Sequence, residues 1–164
     1  MTKKYGMNML VTTVPEIKSY MREMLKQVEV WLMQSKVKKL IMVIKSKETM
    51  EILERWQFDI HVTKDHQQQP TPKPTPEKTE KEIHAEIQAI MRQITASVTF
   101  LPMLDEKCTW TVLCQTDRDV EVPAEWSDTD HHLILNAEQV KLRSFSTSIH
   151  KIDAMVAYRL QDDL

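Results

Sequence analysis

Glycine is almost missing from this chain. Its 164 residues include one, Gly6, where ordinary usage of about 7% would supply about 11. That scarcity leaves no Walker loop, no dinucleotide-binding G-x-G-x-x-G, no EF-hand glycine and no G-x-S-x-G nucleophile elbow. Cysteine is also scarce. Cys108 and Cys114 stand six apart in a stretch that reads as extended, on one face but too distant to bridge within a regular strand. A lone C-x5-C also lacks the second ligand pair of a zinc site. Neither charge sign dominates: 22 Lys+Arg against 24 Asp+Glu give −2, so nothing steers the chain globally toward nucleic acid or anionic lipid. No apolar run approaches 18 residues and no signal-like apolar stretch opens the chain, which sets the expectation of a cytosolic or nuclear protein with reduced thiols.

What is present reads as one soluble domain. With 41% hydrophobic and 28% charged residues, a chain of this length closes around a single core. Residues Lys4–Thr12, with Met9-Leu10-Val11, suit a buried strand. An amphipathic helix follows, with Thr13 and Glu16 at capping-box spacing, Pro15 at its start, and apolar residues from Ile17 to Leu32 at intervals of three and four. Lys39–Lys45 and Trp56–Thr63 read as strands. Residues 65–78 change character: Gln67-Gln68-Gln69 precedes prolines at 70, 72, 74 and 76, a polyproline-like connector in which an SH3-type ligand is the sharper alternative. The second helix, Thr79–Thr95, sets Ile83, Ile87, Ile90 and Ile94 toward a core. Ala96–Leu101 and Thr109–Gln115 read as strands joined by a turn. Trp110, Val112 and Cys114 point one way from the second, and Thr109, Thr111 and Leu113 the other. A loosely patterned segment, Thr116–Glu138, includes Trp126. Strand character then returns over Val140–Ile149, and the apolar-rich Ile152–Leu160 follows. The order implies an α+β fold with a mostly antiparallel sheet.

Catalytic constellations are thin. Asp128, Asp130, His131 and His132 carry metal-ligand chemistry, but adjacent histidines alternate faces in an extended chain, and a polar surface turn is the plainer reading. His61, Asp65 and His66 lack a nucleophile at a defined spacing. His150 with Cys108 or Cys114 is the one thiol–base pairing to test, set against a hydrogen-bonded structural histidine. Without the resemblance below, Arg143 reads as a surface charge beside Phe145. The expectation is a non-enzymatic module, needing no cofactor or metal, whose open sheet edge binds by strand addition.

Four blocks sharpen this. They are Lys4-Tyr5-Gly6 with Leu10-Val11-Thr12-Thr13; Leu53-Glu54-Arg55-Trp56-Gln57-Phe58-Asp59-Ile60; Ile90-Met91-Arg92-Gln93-Ile94-Thr95-Ala96 running into Val98-Thr99-Phe100-Leu101-Pro102; and Leu142-Arg143-Ser144-Phe145 with Ile149-His150-Lys151 and Met155-Val156-Ala157-Tyr158. Together, from Lys4 to about Tyr158, they resemble the spindle-checkpoint branch of the HORMA family. The translesion-polymerase adaptor, a HORMA relative, is less similar in these blocks.

The resemblance implies a single HORMA domain, with a core over 1–115 and a mobile C-terminal safety belt over 116–164 that traps an extended peptide. Trp110, Val112 and Cys114 would line the peptide-binding edge strand, and Trp126, Phe145, His150 and Tyr158 would belong to the belt. Arg92, Gln93, Phe100 and Arg143 would form the surface through which open and closed copies pair and a comet-type adaptor binds. Implied partners are a Mad-one-type scaffold and a Cdc-twenty-type activator of the anaphase-promoting complex, captured to delay anaphase. The implied setting is nucleus, kinetochore and cytoplasm. The family carries a further N-terminal segment with a central helix. Without it, the chain is expected to expose an apolar face on the sheet and first helix. A truncated, non-functional or decoy paralogue is therefore the competing reading, beside a translesion-polymerase-type adaptor.

Overall fold

The computed structural model describes residues 2–63 and 78–160; most of the proline-rich segment, and with it the SH3-ligand reading, lies outside them. The chain opens with a short hairpin, β1 (Thr2–Lys4) and β2 (Met7–Met9). Tyr5 (φ 50°) and Gly6 (φ 72°) form its two-residue turn, with positive φ at both centres as tight hairpins require. Here the sole glycine is needed twice, for its φ and because a Cβ would stand 2.9 Å from Gln88 Nε2. The buried strand expected over Lys4–Thr12 is thus corrected: the strand ends at Met9, and Leu10 is 87% exposed.

Helix α1 (Pro15–Met33) begins with Pro15 in its first turn, and Val14 is the N-cap. The expected Thr13–Glu16 capping box does not form. The residue before a proline is held extended, so the cap falls on Val14 and the Thr12 hydroxyl accepts its N–H at 3.2 Å. Strands β3 (Val37–Ser46) and β4 (Ile52–Val62) form a hairpin. Buried Ser46 closes its turn by accepting the Glu48 and Thr49 N–H groups, each at 3.2 Å.

Helix α2 (Glu80–Ala96) carries a capping box, Thr79 with Glu82, at the Thr-x-x-Glu spacing such a box requires. The strand expected over Ala96–Leu101 is a 3₁₀ turn, Ser97–Thr99. The β-branched Val98 and Thr99 favour extension, but buried Ser97 donates its hydroxyl to Ile94 O at 2.6 Å and its carbonyl accepts both Phe100 and Leu101 N–H. Local hydrogen bonds override propensity here.

Strand β5 (Cys108–Thr116) is followed by β6 (Ala137–Lys141), β7 (Phe145–Ser146) and β8 (His150–Arg159). The strand character expected over Val140–Ile149 resolves into β6 and β7, and the apolar-rich stretch Ile152–Leu160 is the long strand β8. The main sheet runs β5-β3-β4-β8-β6, with β7 also on β8, and every pairing is antiparallel. This is the α+β architecture read from the sequence.

One face of the sheet packs on α2. Trp56, Ala154 and Val156 close on Ile90 and Leu142, joined by Met42, Phe58 and Ile94. Ile83 and Ile87 are only half-buried. On α1, Met24, Val28 and Trp31 are buried, whereas Ile17, Tyr20, Leu25 and Val30 remain exposed.

Glu54 lies on the α2 face, 5% exposed, and accepts the Trp56 indole N–H at 3.1 Å. Burial raises its carboxyl above the usual range, with the indole hydrogen bond opposing. A carboxyl whose folded value is raised weakens the fold as pH rises through that value. Glu54→Gln keeps an acceptor for the indole and removes the charge. Its thermal midpoint is expected above the parent's at about pH 8 and equal to it at about pH 3, where the acid is neutral in both states; calorimetry at the two values checks this.

Candidate functional site

The tail decides what the sheet can do. Because β8 pairs with β4, residue by residue from Glu54↔Tyr158 to Val62↔His150, it occupies the sheet's far side and leaves β5 at the opposite edge. β5 pairs with β3 from Val37↔Thr116 to Ser46↔Cys108, and among the described residues no strand covers its other side. Alternate N–H and C=O groups along such an edge are unpaired.

That edge is enclosed by the segment 117–136. Near its start, Lys36 bridges Asp119 at 2.7 Å and Lys38 bridges Asp117 at 2.9 Å. On the helix face, the Trp126 ring meets Trp31 edge-on, centroids 5.0 Å apart, and the Trp31 indole donates to Glu121 O at 3.2 Å. On the opposite face, His131 O accepts the Arg55 Nε–H at 3.1 Å. Between these anchors the segment passes outside β5 and forms a channel. Two cavities, of about 790 and 450 Å³, share Val112, Leu113, Trp126, Ser127 and Thr129 as walls.

Within the channel the side chains of β5 alternate as expected. Trp110 packs edge-on against Tyr20 of α1, centroids 5.4 Å apart. Val112 lines both cavities. Cys114 opens toward the smaller one, and burial pushes its thiol up to about 11. Such a thiol is a poor nucleophile near neutrality. The thiol–base pairing is also overturned by topology: two strands separate β5 from β8, which puts Cys108 and Cys114 at least ~14 Å from His150. His150 is not the hydrogen-bonded histidine expected either. Its backbone is tied to Thr147, but its buried Nε2 has no partner among the described residues. In the acidic patch, Asp130 accepts the His132 N–H at 2.8 Å in a local turn.

The expected belt residues divide. Trp126 stands at the channel, while Phe145 packs in the α2 core and His150 and Tyr158 lie in β8, across the sheet. Of the expected pairing-surface residues, two meet directly, Gln93 and Arg143. Gln93 Oε1 accepts the Arg143 N–H at 2.5 Å, Phe100 tilts against Tyr158 with centroids 6.0 Å apart, and Arg92 is exposed on the same helix.

Sequence reasoning missed Glu86 and Lys78. Glu86 Oε2 accepts the Ser146 N–H at 2.9 Å, and Lys78 bridges Glu86 at 2.5 Å and the Ser146 hydroxyl at 2.8 Å. Burial raises the Glu86 carboxyl, but the Lys78 and Ser146 hydrogen bonds outweigh it and hold the group below its usual range. Glu86 and Gln93 are seven residues apart, about 10.5 Å along α2. The amides they hold are three extended residues apart, about 10 Å. The helix thus matches the tail backbone at two points.

The HORMA domain model matches residues 1–150. The chain belongs to the HORMA family. It is 49% identical over 160 residues to the mitotic spindle checkpoint component mad2 of Schizosaccharomyces pombe, covering 96% of this chain and 77% of that protein. It is 44% identical over 158 residues to the mitotic spindle assembly checkpoint protein MAD2A of Homo sapiens, covering 96% and 76%. Its fold superposes on a chain of the crystal structure of the mitotic checkpoint complex with a TM-score of 0.87 at 47% identity, covering 97% of this chain and 82% of that one. C. elegans HTP-2 bound to the HIM-3 closure motif shares the fold, at a TM-score of 0.67 and 10% identity over 92% and 73%. Among HORMA proteins, then, this chain resembles the Mad2 checkpoint proteins.

If α2 holds the HORMA tail in this way, Glu86→Ala and Gln93→Ala are each expected to raise amide exchange at Ser146 and Arg143, respectively, by roughly tenfold. The amides of β3 should stay unchanged. Hydrogen–deuterium exchange resolved by residue checks both.

Proposed function

We propose that this chain is a spindle-assembly-checkpoint adaptor that captures extended peptide segments at β5 and holds them beneath the segment 117–136. The observation that carries the reading is the β5 edge, left unpaired by the tail and roofed by a segment anchored on both faces of the sheet. A peptide laid along β5 completes the sheet by main-chain hydrogen bonds about 4.8 Å away. Its alternate side chains enter the cavity beside α1 and the one behind the sheet. Val112 lines both cavities, Cys114 the smaller one, Trp110 stands against Tyr20 of α1, and Trp126 closes over the groove. This is binding without chemistry; the chain acts as an adaptor rather than an enzyme.

The partners are a Mad-one-type scaffold and a Cdc-twenty-type activator of the anaphase-promoting complex, each donating such a segment. Capturing the activator delays anaphase, at kinetochores, in the nucleus and in the cytoplasm. The similarity to Mad2 proteins along nearly the whole chain supports this reading, as does the likeness to a chain of the mitotic checkpoint complex. Residues 1–115 act as the core and 116–164 as the belt. Phe145, His150 and Tyr158 serve the belt by fixing its end to the sheet rather than by touching peptide. Arg92, Gln93, Phe100 and Arg143 form the face for a second copy of the chain and for a comet-type adaptor.

A fluorescent peptide bearing the Cdc-twenty-type motif is expected to co-elute with the chain in gel filtration at tens of micromolar, and no retention there contradicts the proposal. Trp126→Ala removes the ring contact to Trp31 and is expected to weaken retention roughly three- to tenfold. Titration by fluorescence anisotropy measures the change.

A further inference from the structure

The back of the sheet holds a buried cation whose hydrogen bonding depends on the belt. Arg55, in the first half of β4, is 4% exposed and lies between Val43 and Ala157 in register. Its guanidinium donates to Gln57 Oε1 at 2.5 Å and, through Nε, to His131 O at 3.1 Å. Gln57 in turn donates to Asp59 at 2.9 Å, and Lys39 stands 3.7 Å from the same carboxylate. No carboxylate reaches Arg55 directly among the described residues, so the belt carbonyl is one of its two acceptors. A guanidinium has five donors to satisfy, and burying it without acceptors is costly.

The carbonyl is aimed by the belt itself. His132 is left-handed, at φ 47°, a conformation that non-glycine residues adopt only with local support. Asp130 supplies it, accepting the His132 N–H at 2.8 Å and standing 2.9 Å from the ring Nδ1. Both helices pack on the other face, so a belt that lifts away opens Arg55 to water rather than stranding it.

We propose that Arg55 is the latch of the belt: a positioning residue that, through the His131 carbonyl, keeps 127–131 closed over a strand held on β5 and so sets how slowly that strand leaves. This rests on the peptide-capture reading above. Arg55 touches no captured peptide; it acts only through the belt. The aromatic pair Trp31–Trp126 fixes the belt on the helix face, and Arg55 fixes it behind.

Dissociation of the same fluorescent peptide, chased with unlabelled peptide, tests the latch in the full chain. If the parent retains no peptide, the capture reading fails and the latch fails with it. With a retaining parent, Arg55→Met is expected to release peptide roughly ten- to a hundredfold faster while its thermal midpoint holds or rises, since an apolar side chain replaces a buried charge. Release at the parent rate overturns the latch, as does a fall in midpoint with release unchanged. Asp130→Ala, in the exposed belt, keeps the test decisive if the first variant fails to fold: it too should release faster. Where both fold, the double variant should be no faster than Arg55→Met alone, because both act on one carbonyl. Additive effects contradict the shared route.

Discussion

The antiparallel pairing of β8 with β4 is the constraint from which the remaining features of this molecule follow. Nine consecutive residue pairs, from Glu54↔Tyr158 to Val62↔His150, commit the tail to one side of the sheet and place β5 alone at the other. The same pairing completes the core, since Ala154 and Val156 lie opposite Phe58 and Trp56 and close on Ile90 of α2. The open edge and the core are thus two consequences of one register. A slip of one residue would turn Val156 and Ala154 to the back of the sheet. Any arrangement that frees β8 must give up this burial, so the open edge is secured by the packing of the opposite one.

The segment 117–136 has to span the distance between those edges. Leaving β5 at Thr116 and entering β6 at Ala137, it starts beside α1, passes outside β5 and returns behind the sheet. Its anchors are few and different in kind: ion pairs at Lys36 and Lys38, an aromatic contact at Trp31, and a hydrogen bond from the Arg55 side chain to the His131 carbonyl. The exposed ion pairs contribute little individually, which leaves the tryptophan pair and the arginine as the principal attachments. A segment held at separated points, with no strand or helix of its own, can leave its position without unfolding the sheet.

Much of this was legible in the sequence. The alternation in β5 put Trp110, Val112 and Cys114 on one face, the isoleucines of α2 announced its buried side, and four specific strings pointed to the family. Elsewhere local chemistry overrode the pattern. Leu10 and Val11 look like core but follow a hairpin that has already ended, and Val98-Thr99 favour extension but are bound into a 3₁₀ turn by Ser97. The contacts that fix the tail and the belt could not be read at all. Glu86 to Ser146, Gln93 to Arg143 and Arg55 to His131 span 60, 50 and 76 residues, and each engages a backbone group that carries no residue-specific signal. Gly6 illustrates both sides. Its rarity excludes phosphate-cradling loops, and its one occurrence sits in a tight turn inside the Lys4–Thr12 stretch that the pattern reads as one strand.

The central claim is that β5 receives a strand. Residue-resolved hydrogen–deuterium exchange across Thr109–Gln115, with and without a bound Cdc-twenty-type peptide, tests it most directly. Added strand pairing protects alternate amides of β5, those pointing away from β3, and leaves the inward amides as they were. Peptide binding with no new protection along β5, or with protection appearing instead on β6, would contradict the account.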